Sequence, residues 1–159
     1  MESEIRPGRF QVLPVVIKNL IIINALVWLA QITVGRDLLS IEDLFALHHF
    51  SSVHYHFWQF ITYMFLHSSD SFFHILFNMF ALWMFGSTLE NLWGPAKFLS
   101  FYLVCGLGAG LTQAIALTYD ISQYNAMFEA GQLGAAELFA LINVSTLGAS
   151  GAVMGIFAA

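Results

Sequence analysis

Three long apolar runs, at residues 15–34, 72–89 and 98–117, dominate the pattern of hydrophobic and polar positions along the chain. Each is close to the roughly 20 apolar residues a helix needs to cross the hydrocarbon core of a bilayer, so the pattern predicts three membrane spans. A fourth run opens at Ser150 and continues to Ala159. The stretches between the runs are not uniformly polar. In residues 35–71, Leu38, Leu39, Ile41, Leu44, Phe45 and Leu47 recur at roughly helical spacing, and Phe57, Trp58, Phe60, Tyr63, Phe65 and Leu66 follow. Such a segment is expected to lie in the membrane interface, where aromatic rings bury their bodies and keep their polar edges wet. Ser68, Ser69, Asp70 and Ser71 then offer helix-capping side chains, which places the start of the second span directly after them.

Gly94 and Pro95 break the chain after the second span and predict a tight turn. The third run carries Gly106, Gly108 and Gly110, and the spacing of Gly106 and Gly110 lets helices approach closely. Residues 120–147 mix Met127, Phe128, Leu133, Leu138, Phe139 and Ile142 with Glu129 and Glu137, a pattern of one or two short interfacial helices. Residues 1–14 are polar and hold two of the three prolines, so they read as a tail ahead of one membrane domain, 15–159. The fold class expected is all-α, a polytopic membrane helix bundle. Its fourth helix, from Ser150 to Ala159, rises only about 15 Å, half the hydrocarbon core. The chain is therefore expected to be truncated within the fourth span, as the N-terminal part of a longer protein or as a truncated reading of its gene.

Composition agrees, and it excludes an ordinary soluble domain: 58% of residues are hydrophobic and 9% charged, against about 25% charged in soluble domains. The first run is too long for the apolar core of a signal peptide and is followed by Arg36 and Asp37, so it reads as a retained span. Net charge is −5, but orientation follows the Lys and Arg residues. Arg6, Arg9 and Lys18 precede or open the first span and Lys97 follows the second, whereas Arg36 stands alone on the opposite side and residues 118–147 have none. The expected topology puts the N-terminus in the cytoplasm, with both long loops and Ser150 near the outer face. No basic patch recommends a nucleic-acid partner. The single cysteine, Cys105, precludes an intrachain disulfide and reads as a small buried hydrophobe.

Ser150 lies between Gly148 and Gly151 at the start of the fourth run. Flanking glycines open backbone angles closed to other residues and let a substrate come near. A helix N-terminus beside the serine supplies unpaired N–H groups and the positive dipole end, where an oxyanion is stabilised. Against this stands a packing role, since Gly151 and Gly155 repeat the small-xxx-small spacing. His74 and Asn78, four apart, share one face of the second span among Ile75, Leu76, Phe77 and Met79. Polar groups at membrane depth are costly and mark function, or else hydrogen bonds between helices. A serine hydroxyl also needs a base. His48, His49, His54, His56 and His67 lie in the first outer loop and His74 in the second span. The loop histidines admit a metal-site reading too, although no cysteine or ordered acidic partner accompanies them.

His74-Ile75-Leu76-Phe77-Asn78, Glu90 just beyond the second span, the glycine-bearing third span and Gly148-Ala149-Ser150-Gly151 together resemble the rhomboid family of intramembrane serine proteases. The resemblance runs from the first span to Ala159. It implies that Ser150 is the nucleophile, and that His74, Asn78 and the Ser150 backbone N–H hold the oxyanion, with Gly148 and Gly151 in support. It also implies transmembrane protein substrates in a lipid bilayer, cleavage near the outer face, a bacterial inner membrane, and no cofactor or metal. The family's base is a histidine on a sixth span, so the 159-residue chain alone is expected to be inactive. Two departures stand out: Gln59 follows Trp58 where the family carries Trp-Arg, and the segment between the third and fourth spans is extended. A rhomboid-like protein that binds membrane clients without cutting them, or a small channel using His74 and Asn78 as a relay, are the rival readings. Nothing in the sequence bears on oligomeric state.

Overall fold

A computed structural model describes residues 10–34 and 40–159. Most of the expected tail, residues 1–9 with Arg6 and Arg9, and Arg36, Leu38 and Leu39 of the first loop lie outside the described residues. The elements run α1 (Val15–Thr33), α2 (Ile41–Phe45), β1 (Leu47–His48), α3 (Gln59–Thr62), α4 (Phe72–Trp93), α5 (Pro95–Glu129), α6 (Ala135–Ile142), β2 (Ser145–Thr146) and α7 (Ser150–Phe157), with a 3-10 turn at Tyr63–Phe65 after α3. Helices α1, α4 and α5 are each long and apolar enough to cross a membrane.

Their faces are sorted as a bilayer demands. On α1, Ile17, Leu20, Asn24 and Gln31 form a buried stripe at helical spacing, while Ile22, Ile23, Leu26 and Leu29 point outward. Polar groups thus sit inside and apolar ones outside, where lipid tails make no demand for hydrogen bonds. On α4 the inward stripe is Ile75, Asn78, Leu82, Gly86 and Glu90. Ile17, Leu82, Phe98 and Tyr102, all fully buried, join α1, α4 and α5.

Glu90 fastens α4 to α1. Its two carboxylate oxygens accept the Val16 and Ile17 backbone N–H groups at 2.9 Å each, filling the first-turn donors that Pro14 at the N-cap cannot satisfy with a side chain. Beside it the Asn91 amide exchanges two hydrogen bonds with the Gln11 backbone, at 2.9 and 2.8 Å. Gly94, at φ 84°, ends α4, and Pro95 opens α5 at once, the turn that the two breakers predict.

Helix α5 differs from expectation. It continues twelve residues past Leu117 to Glu129, a length of about 50 Å, because no glycine or proline interrupts it until Gly131, at φ 71°. Only one short helix, α6, follows. The glycines of α5 also face a different neighbour than helix packing alone would give: Gly106 lies against the Met64 side chain and Gly110 against Phe60 and Tyr63, so the first loop packs into the notch they leave. Helix α7 lies along α5 with Gly151 on Ala109 and Gly155 on Cys105, which realises the close approach their spacing offers. Ser71 takes the N-cap position of α4, but its side chain makes no capping bond.

The two-residue strands were not legible in the sequence. Leu47 pairs with Thr146 and His48 with Ser145, antiparallel, tying the first loop to the approach of α7. Around this pair, Asn143 Oδ1 accepts the Ser52 hydroxyl at 2.7 Å and the Val53 N–H at 3.1 Å, and His49 Nε2 meets the Thr118 hydroxyl at 3.0 Å.

Candidate functional site

Ser150 is the first residue of α7 and is exposed, while Ala149 before it is fully buried. Val153 N–H donates to the Ala149 carbonyl at 3.0 Å to begin the helical ladder, which leaves the preceding first-turn N–H groups without intrahelical partners. Gly148 shapes the approach with φ 121°, a conformation that side-chain-bearing residues avoid. Its N–H donates to the Tyr63 carbonyl at 2.9 Å, and the Tyr63 hydroxyl donates to the Gly106 carbonyl at 2.7 Å. The turn before Ser150 is thereby anchored through Tyr63 to α5.

His74 projects from the first turns of α4 toward this turn. The point where a Cβ on Gly148 would stand is 3.1 Å from both Nε2 and Cε1 of His74 and 3.7 Å from Ser150 Oγ. Imidazole and hydroxyl therefore border one small space, kept open because Gly148 has no side chain. Asn78 lies one turn along the same face, buried, with its Nδ2 donating to the His74 carbonyl at 2.8 Å. Gly151 lies on the far side of Ser150, turned to Ala109 and within 3.3 Å of the Tyr63 hydroxyl at its Cβ position. Of the residues singled out in the sequence, Gly148, Ser150 and His74 adjoin directly, while Asn78 and Gly151 flank them.

The protonation pattern of His74 follows from its neighbour. The Ser68 backbone N–H donates to His74 Nδ1 at 3.1 Å. A backbone N–H can only donate, so Nδ1 carries no proton and the neutral ring is the Nε2–H tautomer. The edge facing Gly148 and Ser150 is then a hydrogen-bond donor. In this tautomer His74 presents an N–H, and no lone pair, to the space beside Ser150.

Of the first-loop histidines, His48 and His54 lie with ring centroids 5.5 Å apart. His48 Nδ1 donates to the Ala46 carbonyl at 3.0 Å, and His56 stacks on Trp58 at 4.3 Å between ring centroids. His54 comes only to 4.0 Å from Asp43. Burial lowers the pKa of both His48 and His49 below the usual histidine value. Among the described residues no three His, Cys, Asp or Glu side chains converge as a metal-ligand set.

His67 is different. It is fully buried, and among the described residues neither ring nitrogen has a hydrogen-bond partner. Its ring centroid lies 5.2 Å from that of His74, and burial, reinforced by His74, pushes its pKa down to about 4. His67 is thus a neutral wall behind His74 and has no line to Ser150 among the hydrogen bonds of the described residues. Gln31, Trp28, Tyr63 and Gln59, which organise the surroundings, carried no chemical motif. The readable hint was only that Gln31 stands as a polar residue inside an apolar run.

The family model of the rhomboid domain matches residues 54–159. Rhomboid protease AarA of Providencia stuartii is 33% identical over 145 residues, which is 89% of this chain and 48% of that protein. The chain spans about half the length of the curated relative it matches.

Proposed function

This chain belongs to the rhomboid family of integral membrane proteins, and from that premise we propose that the whole protein is an intramembrane serine endopeptidase that cleaves single-span membrane proteins near the outer membrane face. Ser150 is the nucleophile. Its Oγ attacks the scissile carbonyl carbon while a histidine base, supplied from outside residues 1–159, takes the hydroxyl proton. The carbonyl oxygen becomes an oxyanion, and it accepts hydrogen bonds from the Ser150 N–H at the start of α7, from His74 Nε2–H and from the free hydrogen of the Asn78 amide. When the tetrahedral intermediate collapses, the C–N bond breaks and the base returns its proton to the leaving amine. Water then attacks the acyl-enzyme by the same route.

The observation that carries this reading is the shared space at Gly148, with His74 Nε2 and Ser150 Oγ on its two sides. The tautomer imposed by Ser68 supports the donor role, because a ring fixed as Nε2–H offers a proton to negative charge and no lone pair to a hydroxyl. The N-terminus is cytoplasmic in this reading, on the strength of the Lys and Arg distribution, and the membrane is a bacterial inner membrane. The resemblance to AarA supports the protease reading alone, since that relative is named a rhomboid protease.

Ser150→Ala in the full-length protein should abolish cleavage of a reporter transmembrane segment and labelling by a fluorophosphonate. Cleavage by that variant at the wild-type rate removes the protease reading. Labelling of wild type without cleavage of any membrane reporter favours instead a client-binding relative with a reactive serine.

A further inference from the structure

Between the first span and the site, two side chains of α1 hold a short piece of loop. Gln31 is buried, and its Nε2 donates to the His67 carbonyl at 2.9 Å while its Oε1 accepts the His67 N–H at 3.0 Å. The amide thus pairs with one residue's backbone from both ends. Three positions earlier on the same helix face, Trp28 Nε1–H donates to the Ser68 carbonyl at 3.1 Å. The next group along is the Ser68 N–H, which donates to His74 Nδ1. Glu42 Oε1, 3.3 Å from Gln31 Nε2, completes the donor's second contact.

We infer that Gln31 and Trp28 are positioning residues for His74: by clamping the His67–Ser68 backbone they aim the Ser68 N–H at Nδ1 and so keep the Nε2 proton directed at the space beside Ser150. The inference rests on the oxyanion role proposed for His74. A loop peptide with no such clamp is free to rotate its N–H away, and the ring then loses both its fixed tautomer and its fixed plane. At metal-binding histidines, removing the partner that sets the tautomer from behind costs a factor of about 10 to 100 in metal affinity or activity, and a loss of the same order is expected here. His67 contributes by what it lacks. Its fully buried ring packs 5.2 Å from that of His74 and, among the hydrogen bonds of the described residues, takes neither the Ser68 N–H nor the Nε2 proton.

The test uses full-length protein with 15N-labelled histidine, in micelles, with the His74 signals assigned by their loss in His74→Asn. Wild type should show Nδ1 unprotonated and Nε2 protonated at neutral pH. Gln31→Leu should bring in the second tautomer and lower kcat about tenfold or more, with KM within about twofold, as for an interaction made in the transition state. Trp28→Phe keeps an aromatic ring next to Phe72, whose ring centroid lies 5.8 Å from that of Trp28, and deletes the N–H together with part of the indole. It should shift the same His74 signals in the same direction by a smaller amount, and it remains informative if Gln31→Leu fails to fold. Wild-type His74 signals in a folded Gln31→Leu or in Trp28→Phe overturn the positioning role, whatever happens to turnover. A shifted tautomer in a protein whose Ser150→Ala variant still cleaves leaves the clamp standing and sinks the oxyanion reading instead.

Discussion

At the scale of single residues, the chemistry near Ser150 was legible because it depends on side chains whose types and spacing are unusual in an apolar run: His74, Asn78, and the serine between Gly148 and Gly151. Their supports were not legible. Tyr63, Gln31 and Trp28 act through backbone groups, which every residue has, so no residue type at the receiving end betrays the contact. His67 was visible as a histidine but not as a buried one, and burial gives it a consequence of its own. Its folded pKa of about 4 lies below the ordinary histidine value of 6.5, so between those values the unfolded chain binds a proton that the folded chain refuses. Stability is therefore full above about pH 6.5 and falls as the pH drops toward 4, by about 3 kcal/mol in total from this group. Equilibrium unfolding in micelles at pH 7 and pH 4.5 measures the loss. His67→Phe should reduce the difference between the two by most of that amount, and an unchanged difference would show that other groups cause it.

At the scale of elements, the two spans bounded by breakers or caps were read well. Residues 15–34 became Val15–Thr33, and the second span begins at Phe72 as the preceding serines indicate, although Ser71 marks that end by position and not by a side-chain bond. Helix α5 was read short because its later residues grow polar, and they were assigned to a separate interfacial segment although the backbone itself had no breaker. Helix starts also depend on partners far away in sequence. Glu90 closes the first turn of α1 from α4 with two charged hydrogen bonds in a buried setting, a geometry in which a helix end and a carboxylate stabilise each other more than at a surface. Glu90→Gln keeps one acceptor oxygen and should cost about 1 kcal/mol or more, while Glu90→Ala strips both donors of their partner and should cost about 3 kcal/mol. The pair of variants separates the cap from simple packing: a Glu90→Gln protein as stable as wild type beside a destabilised Glu90→Ala would mean that packing, and not the charged hydrogen bonds, accounts for the loss.

At the scale of the whole molecule, both walls of the site depend on the loop between α1 and α4. That loop fixes the His74 wall through Ser68, and the Ser150 wall through the Tyr63 carbonyl and the β1–β2 pair. Its own order centres on Gln59, which is fully buried. Gln59 Oε1 accepts the His48 and His56 N–H groups at 3.2 Å each, and Nε2 donates to the carbonyls of His54 at 2.8 Å, Asp43 at 3.1 Å and Leu44 at 3.4 Å. An amide suits this position because it presents donors and an acceptor at once. The departure from the family's Trp-Arg pattern thus comes with a loop whose backbone is arranged for both. Arginine has five donors and no acceptor, so Gln59→Arg should not restore a family feature here. It should leave the buried His48 N–H without its partner, at about 1 to 3 kcal/mol, and the half-buried His56 N–H without its own at a smaller cost. With β1 beginning one residue before His48, the strand pair should loosen and Gly148 with it, so cleavage should fall in parallel with stability. Hydrogen exchange at His48 and Gly148 reads the effect directly: faster exchange at both in Gln59→Arg is the expected outcome. Exchange that quickens at His48 alone would mean that the Ser150 wall is held independently of the loop.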